Sequence, residues 1–133
     1  IAQAHDFIES FNDKYDTVVA EKGASLSGGQ KQRMSIARAI VRHPEFLIFD
    51  DSTSALDLGT EARLQAALRE NLHGTTVIII AQRIASVKNA DRIAVLEGGT
   101  ITACASHDEL MKTSETYRDI YRSQMKSNGG ESA

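Results

Sequence analysis

The sequence predicts an α/β fold, and three observations carry that expectation. Two short apolar runs, residues 46–49 and 75–81, do not alternate with polar residues, the pattern of strands buried on both faces. Between them, Ala62, Leu64, Ala67 and Leu68 recur at helical spacing over residues 59–71 and are expected inward. The first run ends in Asp50 and Asp51, polar groups at the carboxyl end of a strand, where parallel sheets gather their ligands. Strand, helix, strand in that order implies a parallel pair joined by a crossover helix.

The flanking elements follow in chain order. Ile1, Ala4, Phe7, Ile8 and Phe11 are helically spaced, and because residue 1 is Ile rather than Met, residues 1–11 read as a helix entered partway through a larger protein. Residues 14–25 mix Asp, Thr, Gly and Ser with few periodic apolar positions and read as a loop. A helix over residues 28–42 would carry Met34, Ala37, Ile40 and Val41 on one side and stop at Pro44, the only proline. Residues 92–96 and 100–104, joined by a turn at 97–99, read as a hairpin. Ser106 with Glu109 at capping-box spacing opens a short helix, a last helix covers 117–125, and residues 127–133 read as a frayed tail.

Composition narrows the function. The 133 residues suit one domain or part of one. Fifteen Lys and Arg against 18 Asp and Glu leave a formal charge of −3, which argues against a nucleic-acid partner, since neutralising many phosphates needs the opposite balance. The longest apolar run, 77–81, is far short of the ~20 residues a membrane helix needs, and no secretory leader is recognisable. The single cysteine, Cys104, excludes an internal disulfide, and no Cys/His cluster has zinc spacing, so a reducing, cytosolic setting is expected.

Two motifs carry chemistry. Leu26-Ser27-Gly28-Gly29-Gln30 stands immediately before a helix, whose free N–H groups and positive dipole end make an anion site. Ser27 adds a hydroxyl, Gly28 and Gly29 let a phosphate approach bare backbone, and Gln30 offers an amide; a plain Ser N-cap with a glycine turn is the alternative. Residues 23–30 nearly fit a P-loop, but Gly29 stands where lysine is required and Gln30 where Ser/Thr is, so the segment cannot clamp a nucleotide of its own. The second motif is the strand ending in Asp50 and Asp51. In a nucleotide site the first carboxylate would hold Mg2+, usually through water, and the next would approach the attacking water; capping of the following turn is the alternative.

With Ser54-Ala55-Leu56-Asp57 just downstream, these pieces resemble the ATP-binding-cassette (ABC) ATPase family over nearly the whole chain. LSGGQ is similar to the family signature, FLIFDD to the Walker B strand, SALD to the D-loop, and Thr76 to Arg83 to the strand leading to the switch position. TVVAEKG at 17–23 resembles the TxVGExG loop of ABC exporters with Ala20 in place of glycine, and AHDFI and SHDEL are also exporter-like. The resemblance implies the C-terminal part of an ABC-type P-loop NTPase domain, with the P-loop, the adenine-stacking loop and the Q-loop lying upstream and absent here. Residues 1–45 would then form the signature-bearing helical part, 46–112 the second half of the ATPase core, and 113–133 a C-terminal helix and tail.

The same resemblance assigns roles. ATP would lie between this subunit and a second ABC subunit in a head-to-tail dimer, with Ser27, Gly28, Gly29 and Gln30 contacting the partner's ATP. Ser54, Ala55, Leu56 and Asp57 would form the D-loop, Asp50 would bind Mg2+, and Asp51 and Gln82 would occupy the catalytic and switch positions. Residues 17–23 would meet the coupling helices of a transmembrane domain at the cytoplasmic face of the membrane. Isolated, the chain would bind little or no ATP. It departs from the family twice. Asp51 replaces the usual glutamate and is one methylene shorter, a misplacement that can cost about 10²-fold in rate. Gln82 replaces the switch histidine and can neither carry a positive charge nor titrate near neutrality. Both changes fall on one composite site, a pattern resembling the weak half of a heterodimeric exporter. A non-transport ABC ATPase of chromosome maintenance, DNA repair or translation, and an inactive truncated remnant, are the alternatives. His5, His43 and His73 are expected at helix ends or the surface, His107 in the cap of its short helix, and Arg33, Arg38 and Arg42 on a solvated face.

Overall fold

A computed structural model describes residues 1–128, with side chains through residue 126, and divides the chain into two units, Ile1–Ile80 and Ala81–Ala133. In the first, α1 is His5–Glu9, α2 Gly28–Ile40, β1 Phe46–Asp50, α3 Leu58–Asn71 and β2 Thr76–Ile80. In the second, β3 is Ile93–Glu97, β4 Thr100–Ala105, α4 His107–Thr113 and α5 Glu115–Asn128. Of the expected tail, residues 129–133 lie outside the described residues, while residues 127 and 128 continue the backbone of α5.

The central expectation of the first unit holds: β1 and β2 are parallel, in register from Phe46 opposite Thr76 to Asp50 opposite Ile80, with α3 as the crossover. Burial differs from expectation. Both strands are covered on one face only, so Phe46 and Ile48 are 64% and 59% exposed and Ile78 and Ile80 are also open, while Leu47 and Phe49 are buried. Among the described residues α2 and α3 feed a single cluster, in which Ile36, Ile40, Leu64 and Leu68 meet Leu47, Phe49, Leu56 and Ala2. The opposite strand face receives nothing from that cluster.

The helices are also corrected in detail. Instead of running over 1–11, α1 spans five residues; it cannot begin at residue 1, because Gln3 takes a left-handed φ of 58° that no helix can pass through. Helix α2 ends at Ile40, Val41 is its exposed C-cap rather than an inward residue, and the buried stripe is Ile36 and Ile40. On α3 the inward stripe is Thr60, Glu61, Leu64 and Leu68; Ala62 points to solvent.

In the second unit the expected hairpin is present, with Glu97 opposite Thr100 and a bulge between Val95 and Leu96. Gly98 and Gly99 both have positive φ, 56° and 80°, which a two-residue turn of this hand demands and glycine supplies without strain. Helix α4 carries the expected capping box, Ser106 and Glu109 each bonding the other's backbone N–H. Ile84, Ile93, Val95, Leu110 and Tyr117 form this unit's core. His107 is not the cap but the first residue of α4, and its Nδ1 is 2.8 Å from the Tyr117 hydroxyl, tying α4 to α5.

Candidate functional site

Local chemistry builds the glycine turn. Ser27 is the N-cap of α2; its Oγ accepts from the Gln30 N–H at 3.3 Å, and the Gln30 Oε1 accepts from the Ser27 N–H at 2.8 Å. The reciprocal box satisfies one orphan N–H of the helix together with the N-cap N–H and engages one lone pair on each side-chain oxygen. The donors this box leaves unused are the Ser27 O–H, the Gln30 amide N–H groups, and the N–H groups of Gly28 and Gly29, which precede any intrahelical carbonyl. Ser27 and Gly28 are exposed. The two readings of Ser27, cap and anion donor, are therefore compatible.

The four-residue segment after β1 packs directly on this turn. A Cβ on Gly29 would lie 3.0 Å from the Ala55 carbonyl oxygen, and one on Gly28 would lie 3.6 Å from the Ala55 Cβ. Leu56 is buried in the core, and Asp57 N-caps α3 by accepting from the Thr60 N–H at 2.9 Å. Hydrogen bonding from the Thr60 hydroxyl and then the Thr60 N–H holds the Asp57 carboxyl below its usual range. Gly28 and Gly29 are thus brought beside Ala55 and Leu56 within one unit.

Asp50 closes β1 and Asp51 begins the following turn, its N–H donating to the Ile80 carbonyl at 3.2 Å. Asp51 adopts φ 50°, a left-handed conformation that a non-glycine residue holds only where its surroundings impose it. Both carboxylates are exposed and border a concavity of about 310 Å³ that Gln32, Ser35, Ile48 and Ser52 also line. A Mg2+ ion commonly takes one or two carboxylates and fills its remaining positions with water and phosphate oxygens, a donor set that an exposed strand-end aspartate fits. Among the described residues no three His, Cys, Asp or Glu side chains cluster as a protein-only metal cage. Gln82 belongs to the second unit; its side chain is exposed and its carbonyl accepts from the Gln124 Nε2 at 2.7 Å, with Gln124 Oε1 accepting from the Ile84 N–H at 2.8 Å.

Two residues that matter here, Gln32 and Glu61, escaped the sequence reading, and a third, Arg33, was misplaced by it. Gln32 donates from Nε2 to Ser54 Oγ at 3.2 Å and accepts at Oε1 from the Ala55 N–H at 3.0 Å. Glu61, 4% exposed, accepts from the Thr53 hydroxyl at 2.9 Å. Arg33 is not on a solvated face: Nε donates to the Gly29 carbonyl at 3.3 Å and Nη1 to the Gln3 carbonyl at 2.9 Å. A signal existed for two of them, because Gln32 continues the Ile36, Ile40 stripe and Glu61 the Leu64, Leu68 stripe, polar residues on inward faces. The expectations for His5, His43, His73, Arg38 and Arg42 hold, since all five are exposed.

Residues 17–23 form an irregular segment ending in a short 3-10 turn, Glu21–Gly23, with Val18 and Val19 exposed and Lys22 and Gly23 both at positive φ. Among the described residues no helix is long and apolar enough to cross a membrane.

The geometry has counterparts in known proteins. Residues 2–54 match the ABC transporter family. The chain is 48% identical over 124 residues to multidrug resistance protein 1 of Entamoeba histolytica, covering 93% of this chain and 10% of that one. It is 49% identical over 125 residues to the alpha-hemolysin translocation ATP-binding protein HlyB of Escherichia coli, covering 93% and 18%. Among solved structures it resembles a bacterial Atm1-family ABC exporter with ATP bound, at 38% identity and a TM-score of 0.87, over 92% of this chain and 22% of that one. The chain therefore spans a fifth or so of these relatives, or less. The matched family, the relatives that are nearly half identical, and the shared fold together show that this chain belongs to the ABC transporter family, as part of an exporter-type ATP-binding cassette.

Proposed function

We propose that this chain serves ATP-driven export at the cytoplasmic face of a membrane, coupling ATP binding and hydrolysis to a transmembrane partner that residues 17–23 touch. The observation that supports this most is the glycine turn: a capping box shapes a helix start whose first N–H groups have no intrahelical acceptor, and the turn is seated on the D-loop through Gly29 and Ala55. A donor-rich helix start suits the terminal phosphate of a nucleotide held by a second ABC subunit. In this reading Ser27, Gly28, Gly29 and Gln30 complete the partner's ATP site, Ser54, Ala55, Leu56 and Asp57 form the D-loop, and residues 1–45, 46–112 and 113–133 are the signature-bearing part, the core half and the C-terminal helix. Asp50 holds Mg2+, which would neutralise phosphate charge; Asp51 orients the water and Gln82 donates a hydrogen bond toward the phosphate.

Asp51 and Gln82 weaken the site on this subunit, so the assembly is a heterodimer with one slow and one fast site. Single-site turnover in the full-length pair tests this. Asp51→Glu with Gln82→His raises turnover at this subunit's site by about 10²-fold if reach and charge limit it; unchanged turnover rejects the slow-site assignment. Loss of transport on replacing Gly29 with a bulky residue supports the signature's role, and full transport in that variant rejects it.

A further inference from the structure

We infer that Gln32 is a positioning residue for Asp51, setting the backbone of the second Walker B carboxylate from the signature helix through Ser54; this rests on the proposed role of Asp51. The chain of hydrogen bonds has a single direction. Gln32 Nε2 donates to Ser54 Oγ at 3.2 Å, and Ser54 Oγ donates its one proton to the Asp51 carbonyl at 3.0 Å. The other half of the same amide, Oε1, accepts from the Ala55 N–H at 3.0 Å, so the side chain is held at both ends and cannot swing away without losing two bonds. The Ser54 N–H adds a second, longer bond to the Asp51 carbonyl at 3.3 Å.

The target of this chain is the residue that needs holding. Asp51 sits at φ 50°, a conformation that strains a non-glycine residue and persists only when neighbours over-determine it. Its N–H is held by the Ile80 carbonyl and its carbonyl by Ser54, so both peptide planes around the strained φ are pinned. Thr53, between them, is tethered by its hydroxyl to the buried Glu61. The turn is thus clamped by α3 through Glu61 and by α2 through Gln32, and Gln32 reaches the Asp51 carbonyl through a proton-ordered path. Because Gln32 stands on the same helix as Gly28 and Gly29, any shift of that first turn is transmitted to the carboxylate of the other nucleotide site.

Gln32→Glu tests the path with an isosteric change. The carboxylate still accepts from the Ala55 N–H but has no N–H for Ser54, so the Ser54 hydroxyl turns to donate to it and abandons the Asp51 carbonyl. In the full-length protein, paired with a partner whose own ATP site is inactivated, kcat is expected to fall about tenfold with KM for ATP within about twofold, because reach is lost and nucleotide contacts are not. Ser54→Ala should give a similar loss, and the double variant no more than the larger single loss, as members of one chain are non-additive. A fall confined to KM, or additive losses, overturns the inference. Amide hydrogen exchange over residues 51–57 without nucleotide provides the arm that does not depend on catalysis. Exchange at the Ser54 amide should rise roughly threefold or more in Gln32→Glu, as local opening becomes easier. If the unsubstituted protein shows no turnover at this site, the role of Asp51 fails and exchange alone decides: faster exchange upholds the positioning by Gln32, and unchanged exchange overturns it.

Discussion

The guanidinium of Arg33 lies 4.6 Å above the centre of the Phe7 ring, stacking the signature helix on the segment that precedes it. The same group donates to the Gly29 and Gln3 carbonyls, so one side chain fixes both the first turn of α2 and the left-handed bend at Gln3. Lysine has neither the planar fork nor the flat face for this. Arg33→Lys is expected to cost about 1–2 kcal/mol, measured by denaturant midpoint, with the larger part of the effect removed when Phe7 is already alanine.

The two signature glycines should respond differently to a methyl group. At Gly28 the added carbon meets the Ala55 side chain at ordinary contact distance, whereas at Gly29 it meets the Ala55 backbone carbonyl at 3.0 Å. Gly28→Ala is expected to alter stability by no more than about 0.5 kcal/mol, while Gly29→Ala lowers it by about 1–2 kcal/mol despite the better helix propensity of alanine. Equal thermal shifts in the two variants would contradict the packing of the turn on Ala55.

Leu64 and Val41 test the corrected helix faces. Leu64 is fully buried and Val41 is 71% exposed at the end of α2. Leu64→Ala should cost about 2–5 kcal/mol through lost transfer energy and a residual cavity, and Val41→Ala less than about 0.5 kcal/mol. Urea unfolding of both variants measures the difference.

Acid should weaken the fold through its caps. Ser106 holds the Glu109 carboxyl low, first by its backbone N–H and then by its hydroxyl, and Thr60 holds that of Asp57 low, first by its hydroxyl and then by its backbone N–H. Folded values below the unfolded ones mean that this stabilisation is complete above the ordinary carboxylate range and is lost as pH falls through the folded values. Glu109→Gln and Asp57→Asn keep an acceptor but do not titrate, so their stability should decline less steeply below about pH 5 than that of the parent. Denaturant midpoints across that range check the slope.

The opposite limb belongs to Tyr117. Burial, with a smaller contribution from Tyr121, raises its hydroxyl above the ordinary value of 10.0. A raised folded value gives stabilisation that is complete below the unfolded value and lost as pH climbs through the folded one. Tyr117→Phe gives up the bond to His107, costing about 1 kcal/mol near neutrality, and removes the alkaline loss. The two stability curves should therefore converge above pH 10.

Burial was legible where a side chain's company lies on its own element and not elsewhere. The strand-helix-strand order, the hairpin with its paired glycines, the Ser27 and Ser106 caps and the end of α2 near Pro44 all follow from local spacing and backbone preference, and the structure keeps them. Phe46, Ile48, Ile78 and Ile80 were misjudged because a run of apolar residues states only that water is unfavourable there, and not which layer covers it.

The sequence by itself determined the family and the residues of its motifs, since LSGGQ, FLIFDD and SALD are chemical identities at set distances along the chain. Only the tertiary structure decided how those motifs are joined. Gln32 and Ser54 are 22 positions apart, Thr53 and Glu61 eight, and each pair meets because two stripes pack into one core. A polar residue on an inward stripe must find a partner or unfold its surroundings, and which partner it finds is set by the packing of elements, a property no local pattern encodes.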